Sequence, residues 1–208
     1  MQLWAGGPIW AECNVGAENL WEYGYYFWWG DTVGYMRNAA NNGWVSADGN
    51  GTTIKFSDSD AKAKQTYGKN SDTLLNEGWI DASGNLAATY DAARVHLKGD
   101  WRMPTKDEIQ QLVENCTTEW TTLNGVNGCI VTGKGEYVLK QIFFPAAGGA
   151  VSSDYGNYGS DGNYWSSTPV NTSKFRSSYI IALTQGSFGG STHTRANGFV
   201  VRPVRDAE

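Results

Sequence analysis

The sequence has few of the side chains from which metal centres and disulfide frameworks are built. It contains three cysteines and two histidines among 208 residues. Their spacing fits no zinc motif, and three cysteines do not make a disulfide framework. Two alternatives stay open for Cys116 and Cys129, which either pair across a hairpin or remain separate buried thiols. We expect no metal site and no cofactor.

Charged residues and long apolar runs are also scarce. Only 18% of the residues are charged and the net charge is −5, which argues against nucleic-acid binding through a basic face. No apolar run approaches the roughly 18 residues of a membrane span, so we expect no membrane insertion. The stretch Met1–Trp10 shows no basic region followed by a cleavage site, and no signal peptide is visible in this chain.

Aromatic residues and glycine are abundant instead. Ten tryptophans, eleven tyrosines and 26 glycines are typical of a loop-rich fold whose few regular elements are fixed by large rings. A chain of 208 residues suits one domain and can bury a core without covalent staples. We therefore expect a single domain over residues 1–208.

The clearest helix signal is "PTKDEIQQLVENC", residues 104–116. Thr105 is placed as the N-cap, and Glu108 three residues later completes a capping box. Ile109, Leu112 and Val113 form one apolar stripe at helical spacing.

Other segments supply a second helix and several strands. "TYDAARVHL" (89–97) predicts a short helix with Thr89 or Asp91 near its cap. "EWTTLNGVNGCIVTG" (119–133) predicts two strands joined by a Gly/Asn turn. Further strands are predicted at "TTIKF" (52–56), "QIFFP" (141–145), "YWSSTP" (164–169), "SYIIALT" (178–184) and "GFVVRPV" (198–204). Helices and strands segregated in this way indicate an α+β domain.

The stretch 179–194 predicts two strands around a turn at Gln185–Gly186. Because side chains alternate between the faces of a strand, Tyr179, Ile181 and Leu183 are assigned to the core. The opposite, solvent-facing set consists of Ile180, Ala182, Thr184, Ser187, Gly189 and Ser191, followed by Thr192, His193 and Thr194.

Several uncommon short motifs follow one another along the chain: "WRMPT", "NGVNG", "FFPAAG", "YWSSTP" and "GFVVRPVR". Together with "WAECNVGAENLWEYGYYFWWGD" and "YGKNSDTLLNEGWIDASGNL", they resemble the lectin-like "major paralogous" domain of gut bacteria and their phages. The similarity is greatest to the subset used as variable proteins of diversity-generating retroelements, and it covers nearly the whole chain. It implies a C-type-lectin-like fold with two helices, small twisted antiparallel sheets, long loops and a binding surface near the C-terminus.

The resemblance also implies a diversified region at about residues 151–197. In such retroelements a reverse transcriptase errs at template adenines, so that Asn codons change into codons for Tyr, Ser, Asp, His, Thr, Ile, Phe, Gly, Ala and others, but not for Lys, Gln, Trp, Met or Glu. Between residues 171 and 195, only Lys174 and Gln185 lie outside the reachable set.

The family's variable positions match the solvent-facing set and extend it. The candidate ligand-binding residues are Tyr155, Asn157, Tyr158, Asn171, Ser173, Phe175, Arg176, Ser177, Ile180, Ala182, Thr184, Ser187, Phe188, Gly189, Ser191, Thr192, His193 and Thr194. Tyr, Ser, Gly and Asn with a Phe and an Arg are the chemistry of antibody paratopes, in which rigid aromatics supply contact area and small polar residues adapt.

Catalysis and calcium binding are not expected. Formylglycine-generating enzymes share this fold class but need a cysteine pair near the C-terminus, and no cysteine follows Cys129. The Glu-Pro-Asn, Gln-Pro-Asp and Trp-Asn-Asp triplets of calcium-dependent sugar-binding lectins do not occur. "SDSD" (57–60) either binds calcium or is plain solvated surface.

Several large and charged side chains of these motifs are assigned to the scaffold. Trp101 and Trp165 are expected to be packed, and Phe199 and Val201 to alternate on the last strand. Arg202 either holds an anionic ligand with Arg205 or pairs with a buried acid or with carbonyls.

Taken together, the sequence favours a non-enzymatic ligand-binding module that recognises a protein or glycan on a cell. We expect it on a phage virion tail or a bacterial cell surface. The alternative is a non-diversified structural or adhesive lectin-like domain of a bacterial surface protein.

Overall fold

A computed structural model describes residues 1–38, 40, 42–48, 51, 53–151, 154–170 and 177–207, with only the backbone described at positions 154 and 155. Within these residues the α-helices are Ser71–Asn76 (α1), Ala92–His96 (α2) and Lys106–Asn115 (α3). The strands are Ile9–Trp10 (β1), Tyr35–Asn38 (β2), Gly43–Ser46 (β3), Cys116–Leu123 (β4), Val126–Gly133 (β5), Gln141–Pro145 (β6), Gly149–Val151 (β7), Asp154–Gly156 (β8), Asp161–Pro169 (β9), Ser177–Thr184 (β10), Ser187–Thr194 (β11) and Val204–Arg205 (β12).

The strands form small antiparallel sheets. Two sheets have three strands, in the orders β4-β5-β6 and β11-β10-β9, and the pairs β1-β12, β2-β3 and β7-β8 make two-stranded sheets. The helices precede most of the strands in the chain. The domain is therefore α+β with a C-type-lectin-like arrangement, as predicted.

Helix α3 begins at the predicted cap. The Thr105 hydroxyl accepts a hydrogen bond from the Glu108 amide at 3.2 Å, and the Glu108 carboxylate accepts one from the Thr105 amide at 2.8 Å. Ile109 and Leu112 are buried, whereas Val113 is exposed. The predicted apolar stripe is correct for the first two residues and wrong for the third.

The other two helices are short and capped by polar side chains. Asp91 begins α2 by accepting hydrogen bonds from the amides of Ala93 and Arg94, which confirms one of the two predicted caps. Helix α1 was not predicted from the sequence, and it begins where the Asn70 side chain accepts a hydrogen bond from the Thr73 amide at 2.8 Å.

The predicted hairpin of β4 and β5 is present. Its turn consists of Asn124 and Gly125, both at positive φ (48° and 80°), which is the backbone that a two-residue type I′ turn requires. Cys116 and Cys129 lie on this hairpin as buried free thiols. They do not face each other, because Cys129 pairs with Trp120 across the ladder.

Two of the predicted strands are wrong. In the segment 52–56, position 52 lies outside the described residues and Ile54 forms only an isolated bridge to Trp44. At the C-terminus the strand begins only at Val204. The consecutive residues Phe199, Val200 and Val201 are all buried, since this segment runs through the interior and does not alternate between a core face and solvent.

The core consists of two clusters that meet at β10. One cluster contains Ile181 and Leu183, and the other contains Ile180, Trp165 and Phe199. Strand β10 is therefore buried on both faces. A central strand that is covered on both faces is apolar along its length and does not alternate.

Candidate functional site

The candidate site is built on the three-stranded sheet of β11, β10 and β9. Strands β10 and β11 form a hairpin in which Thr184 pairs with Ser187 around the turn Gln185–Gly186, and this confirms the predicted turn. On the other side of β10, Thr184 pairs with Asp161 at the start of β9. The tip of the hairpin is thereby fixed to the beginning of β9.

A second group of predicted residues lies beside this tip. Asn157 has a left-handed backbone (φ 60°), and its side-chain amide donates a hydrogen bond to the Asp161 carboxylate at 2.8 Å. Because Asp161 pairs with Thr184, the structure brings the predicted residues at 157–158 to the same end of the sheet as the hairpin tip. Tyr158 is 59% exposed, while Asn157 serves mainly to shape the turn.

Six of the predicted residues, each of them small or polar, reach the surface, and Asn157 is also exposed but bonds to Asp161 at the turn. We call the six the display surface, and it consists of Tyr158, Thr184, Ser187, Gly189, Ser191 and Thr192. Gly189 is half-buried, and the others are exposed. Strand β11, which carries four of the six, contains no Asp, Glu, Lys or Arg. The surface therefore offers hydroxyl groups, an aromatic ring and main-chain groups to a ligand.

Two predicted outward positions on β10 are corrected. Ile180 is 1% exposed and lies in the cluster of Trp165 and Phe199. Ala182 is half-buried against the same cluster. The prediction assumed that one face of β10 meets solvent, but the interior covers both faces.

The assignment of Phe188 is also corrected, because its ring packs inward. Its ring lies 5.6 Å from the ring of Phe144 in an edge-on arrangement, and it packs against the first core cluster. Such an aromatic pair stabilises the fold beyond the area it buries. Phe188 is thus a half-buried scaffold residue.

Three further predicted residues are half-buried and engaged in local contacts. The ring of His193 lies 4.8 Å from that of Phe199, its Nδ1 accepts a hydrogen bond from the Thr194 amide at 3.0 Å, and burial lowers the pKa of its imidazole. The Thr194 hydroxyl accepts a hydrogen bond from the Ala196 amide at 3.4 Å. The Ser177 carbonyl accepts one from the Arg195 guanidinium at 3.0 Å. These contacts close the sheet at the end opposite to the hairpin tip.

The remaining predicted positions cannot be placed on this surface. Asn171, Ser173, Phe175 and Arg176 lie outside the described residues, as does the side chain of Tyr155.

Sequence reasoning missed the residue that anchors the site. Arg195 directly follows β11 and is fully buried. Its Nε donates to the Ser178 hydroxyl at 2.9 Å, and its Nη1 donates to the carbonyls of Thr66 and Lys69 at 2.9 and 3.0 Å. Burial lowers the pKa of Arg195 to about 10. The one sequence feature that could have indicated this role is the position of Arg195, a single cation between the polar strand β11 and the apolar segment that follows it.

Arg202 fulfils one of its two predicted roles. It is buried, and its guanidinium donates to the Asn14 side-chain oxygen at 2.7 Å and to the carbonyls of Glu12 and Phe143, both at 2.9 Å. The prediction that Arg202 pairs with carbonyls is confirmed. These bonds tie the N-terminal segment to the C-terminal one.

The described residues contain no group of three or more His, Cys, Asp or Glu side chains that could hold a metal ion. In "SDSD", the hydroxyls of Ser57 and Ser59 lie 2.8 Å apart, and the Asp60 carboxylate accepts a hydrogen bond from the Lys62 amide. None of the helices in the described part of the chain is long and apolar enough to cross a membrane.

Comparison with known proteins places the whole arrangement in one family. The family profile of the Lcl C-terminal domain matches residues 7–205, which include the second core cluster, all of the first except Leu3 and Trp4, both buried arginines and the display surface. No curated protein and no solved structure matches the chain. The chain belongs to the Lcl C-terminal domain family, within the group of major-paralogous and variable-protein domains that its sequence resembles.

Proposed function

We propose that this domain is a ligand-binding display module whose display surface is diversified by a retroelement to recognise protein or glycan targets on cells. Its role is binding and not catalysis. The module acts at a phage virion tail or a bacterial cell surface.

The observation that carries this proposal is the contrast between neighbouring positions of one hairpin. Ser191 is exposed while Ile180, directly opposite in the ladder, is buried. Surface positions with no packing role tolerate substitution within about 0.5 kcal/mol each. A varied set of side chains is therefore compatible with one backbone.

The attachment of this sheet to the rest of the domain supports the same interpretation. Arg195 holds the end of β11 to the carbonyls of Thr66 and Lys69, and Trp165 on β9 donates its indole hydrogen bond to the Phe27 carbonyl at 2.9 Å. A binding surface is precise when rigid elements hold its backbone. The scaffold supplies this rigidity from residues outside the display surface.

The second candidate is a non-diversified structural or adhesive domain of the same fold, and the genomic locus discriminates between the two. Diversification predicts a near-identical template repeat of the codons for about residues 151–197 and a reverse-transcriptase gene beside it. It also predicts that substitutions fall on the display surface and spare Ile180 and Arg195. A locus without repeat or reverse transcriptase, in genomes whose copies do not vary at these codons, would favour the structural domain.

A further inference from the structure

Among the residues that the structure describes, β10 alone pairs with β11, which makes β11 an edge strand of its sheet. Thr184 and Ser187 flank the two-residue turn, and residues in that position exchange both of their main-chain hydrogen bonds with each other. This pair determines which residues of β11 bond to β10. In an antiparallel ladder the direction of the main-chain groups alternates along the strand. The groups that point away from the sheet therefore belong to Phe188, Gly190 and Thr192.

This edge lacks the features that usually block strand pairing. Within the described residues, no hydrogen bond from another segment reaches the main-chain groups of Phe188, Gly190 or Thr192. Natural edge strands are commonly protected by a charged residue, a proline or a bulge. The eight residues of β11, "SFGGSTHT", contain no proline and no Asp, Glu, Lys or Arg, and they pair with β10 without a register shift. Strand β4, an edge of the other three-stranded sheet, carries Glu119.

A cleft of about 260 Å³ lies between β11 and helix α3. Ile109, Val113 and the ring of Tyr179 give it apolar walls, and Gly190 forms part of its rim. Lys106 lies with its ammonium group 4.9 Å from the centre of the Tyr179 ring. Because Gly190 has no side chain, β11 does not fill the cleft at this point. A methyl group there would only reach ordinary contact with Ile109, at 3.6 Å.

We propose that β11 accepts an extended peptide segment of a partner protein as a fourth strand, with one apolar side chain of that segment in the cleft beside Gly190. The residue opposite Gly190 would exchange both main-chain hydrogen bonds with it. Directly opposed side chains lie on the same face of a sheet, so that side chain projects on the face where the cleft lies.

This inference rests on the proposed function and specifies its partner. In strand addition, main-chain hydrogen bonds supply affinity and pockets for alternate side chains supply specificity. The main chain of β11 is unchanged when Ser187, Ser191 or Thr192 is replaced. A diversified β11 would thus keep the same main-chain hydrogen bonds to a peptide and vary only the side chains beside them.

A second copy of this chain fits the edge less well than a foreign peptide. The side chains that β11 could offer to the cleft of another copy are small or polar, apart from Phe188, which is held against Phe144. Pairing of two β11 strands would leave both apolar clefts empty.

The test uses the full chain and a synthetic peptide, acetyl-KTVTLTVTK-amide, whose Val, Leu and Val side chains share one face. Calorimetric titration is expected to show saturable binding. Thr192→Pro removes an outward amide without touching the bonds to β10, and it should weaken binding by about tenfold or more. The matched variant Thr192→Ala also loses the threonine side chain but keeps the amide, so the difference in affinity between the two variants measures the outward amide alone.

The peptide itself provides the second arm, which does not depend on the folding of a variant. Methylation of the central Leu nitrogen should abolish binding, and replacement of that Leu by Ala should weaken it because the cleft is no longer filled. Absence of saturable binding, or equal binding of the methylated and unmethylated peptides, would overturn the inference. So would a dimer in sedimentation that Thr192→Pro dissociates, since a second copy would then occupy the edge. If the peptide fails while the locus carries a template repeat and varied codons, the display function stands and only strand addition is refuted.

Discussion

The guanidinium carbon of Arg195 lies 4.7 Å from the centre of the Trp29 ring. The same group reaches the Ser177 carbonyl at the start of β10 and the Thr66 carbonyl in a distant segment. One buried cation therefore joins both strands of the β10–β11 hairpin to the core. The fork of an arginine suits this role, because it donates several hydrogen bonds in fixed directions and stacks on aromatic rings.

Removing this cation should destabilise the domain strongly. Arg195→Ala removes the donor to the Lys69 carbonyl and to the Ser178 hydroxyl and empties the space against the Trp29 ring, whereas the Thr66 carbonyl keeps the Lys69 amide. A hydrogen bond to a charged group contributes about 1.5–3 kcal/mol. We expect the free energy of unfolding in urea to fall by about 3 kcal/mol or more. Arg195→Lys should lose less, since it keeps the charge but not the fork.

The matched control is Arg205→Ala, because the Arg205 guanidinium also lies near a tryptophan, 5.5 Å from the centre of the Trp101 ring. Arg205 is half-buried, so its removal should change stability by about 1 kcal/mol or less. Equal losses in the two variants would contradict the anchoring role of Arg195.

Trp165 should be far more important to folding than Trp101. The Trp165 side chain is fully buried, its ring lies 4.6 Å from that of Phe199, and its indole donates to the Phe27 carbonyl. Truncating such an aromatic to Ala costs roughly 3–5 kcal/mol. Trp101 was expected to be packed equally well, but it is only half-buried. In thermal melts Trp165→Ala should therefore unfold well below Trp101→Ala, and the reverse order would show that the core is misassigned.

His193 should make the domain less stable in mild acid. Burial lowers the pKa of its imidazole below the ordinary value of 6.5, so the unfolded chain binds the proton more readily than the folded one. The stability contributed by the neutral ring is present above about pH 6.5 and is lost as the pH falls through that value towards the folded-state pKa. His193→Gln should reduce the drop in melting temperature between pH 7.5 and pH 5. An unchanged drop would mean that this ring does not titrate differently in the two states.

Local signals in the sequence predicted local structure well. The capping box of Thr105 and Glu108, the turn of Asn124 and Gly125 and the turn at Gln185–Gly186 depend on neighbouring residues alone. Each was placed correctly. The family resemblance supplied the fold, which no periodicity would have given.

Contacts between distant segments explain the errors. Alternation along β10 separates its two faces but does not reveal that the C-terminal segment with Phe199 covers the second one, so Ile180 was placed outside. Phe188 was assigned to the ligand although Phe144, from a different sheet, covers its ring. The role of Arg195 was invisible because its partners are main-chain carbonyls at Thr66 and Lys69, and carbonyls carry no sequence signature.

The central claim is that a fixed scaffold carries a freely variable binding surface, and paired libraries test it most directly. The first library randomises Thr184, Ser187, Ser191 and Thr192, and the second randomises the buried positions Trp165, Ile180, Ile181 and Leu183 of the same sheet. Both are displayed on yeast, scored for resistance to protease, and the folded members are then selected against lysozyme as a test protein. We predict that most members of the first library resist protease like the parent and yield lysozyme binders, while nearly all members of the second are degraded. Degradation of the first library as often as the second, or a folded first library that yields no binder, would contradict the account.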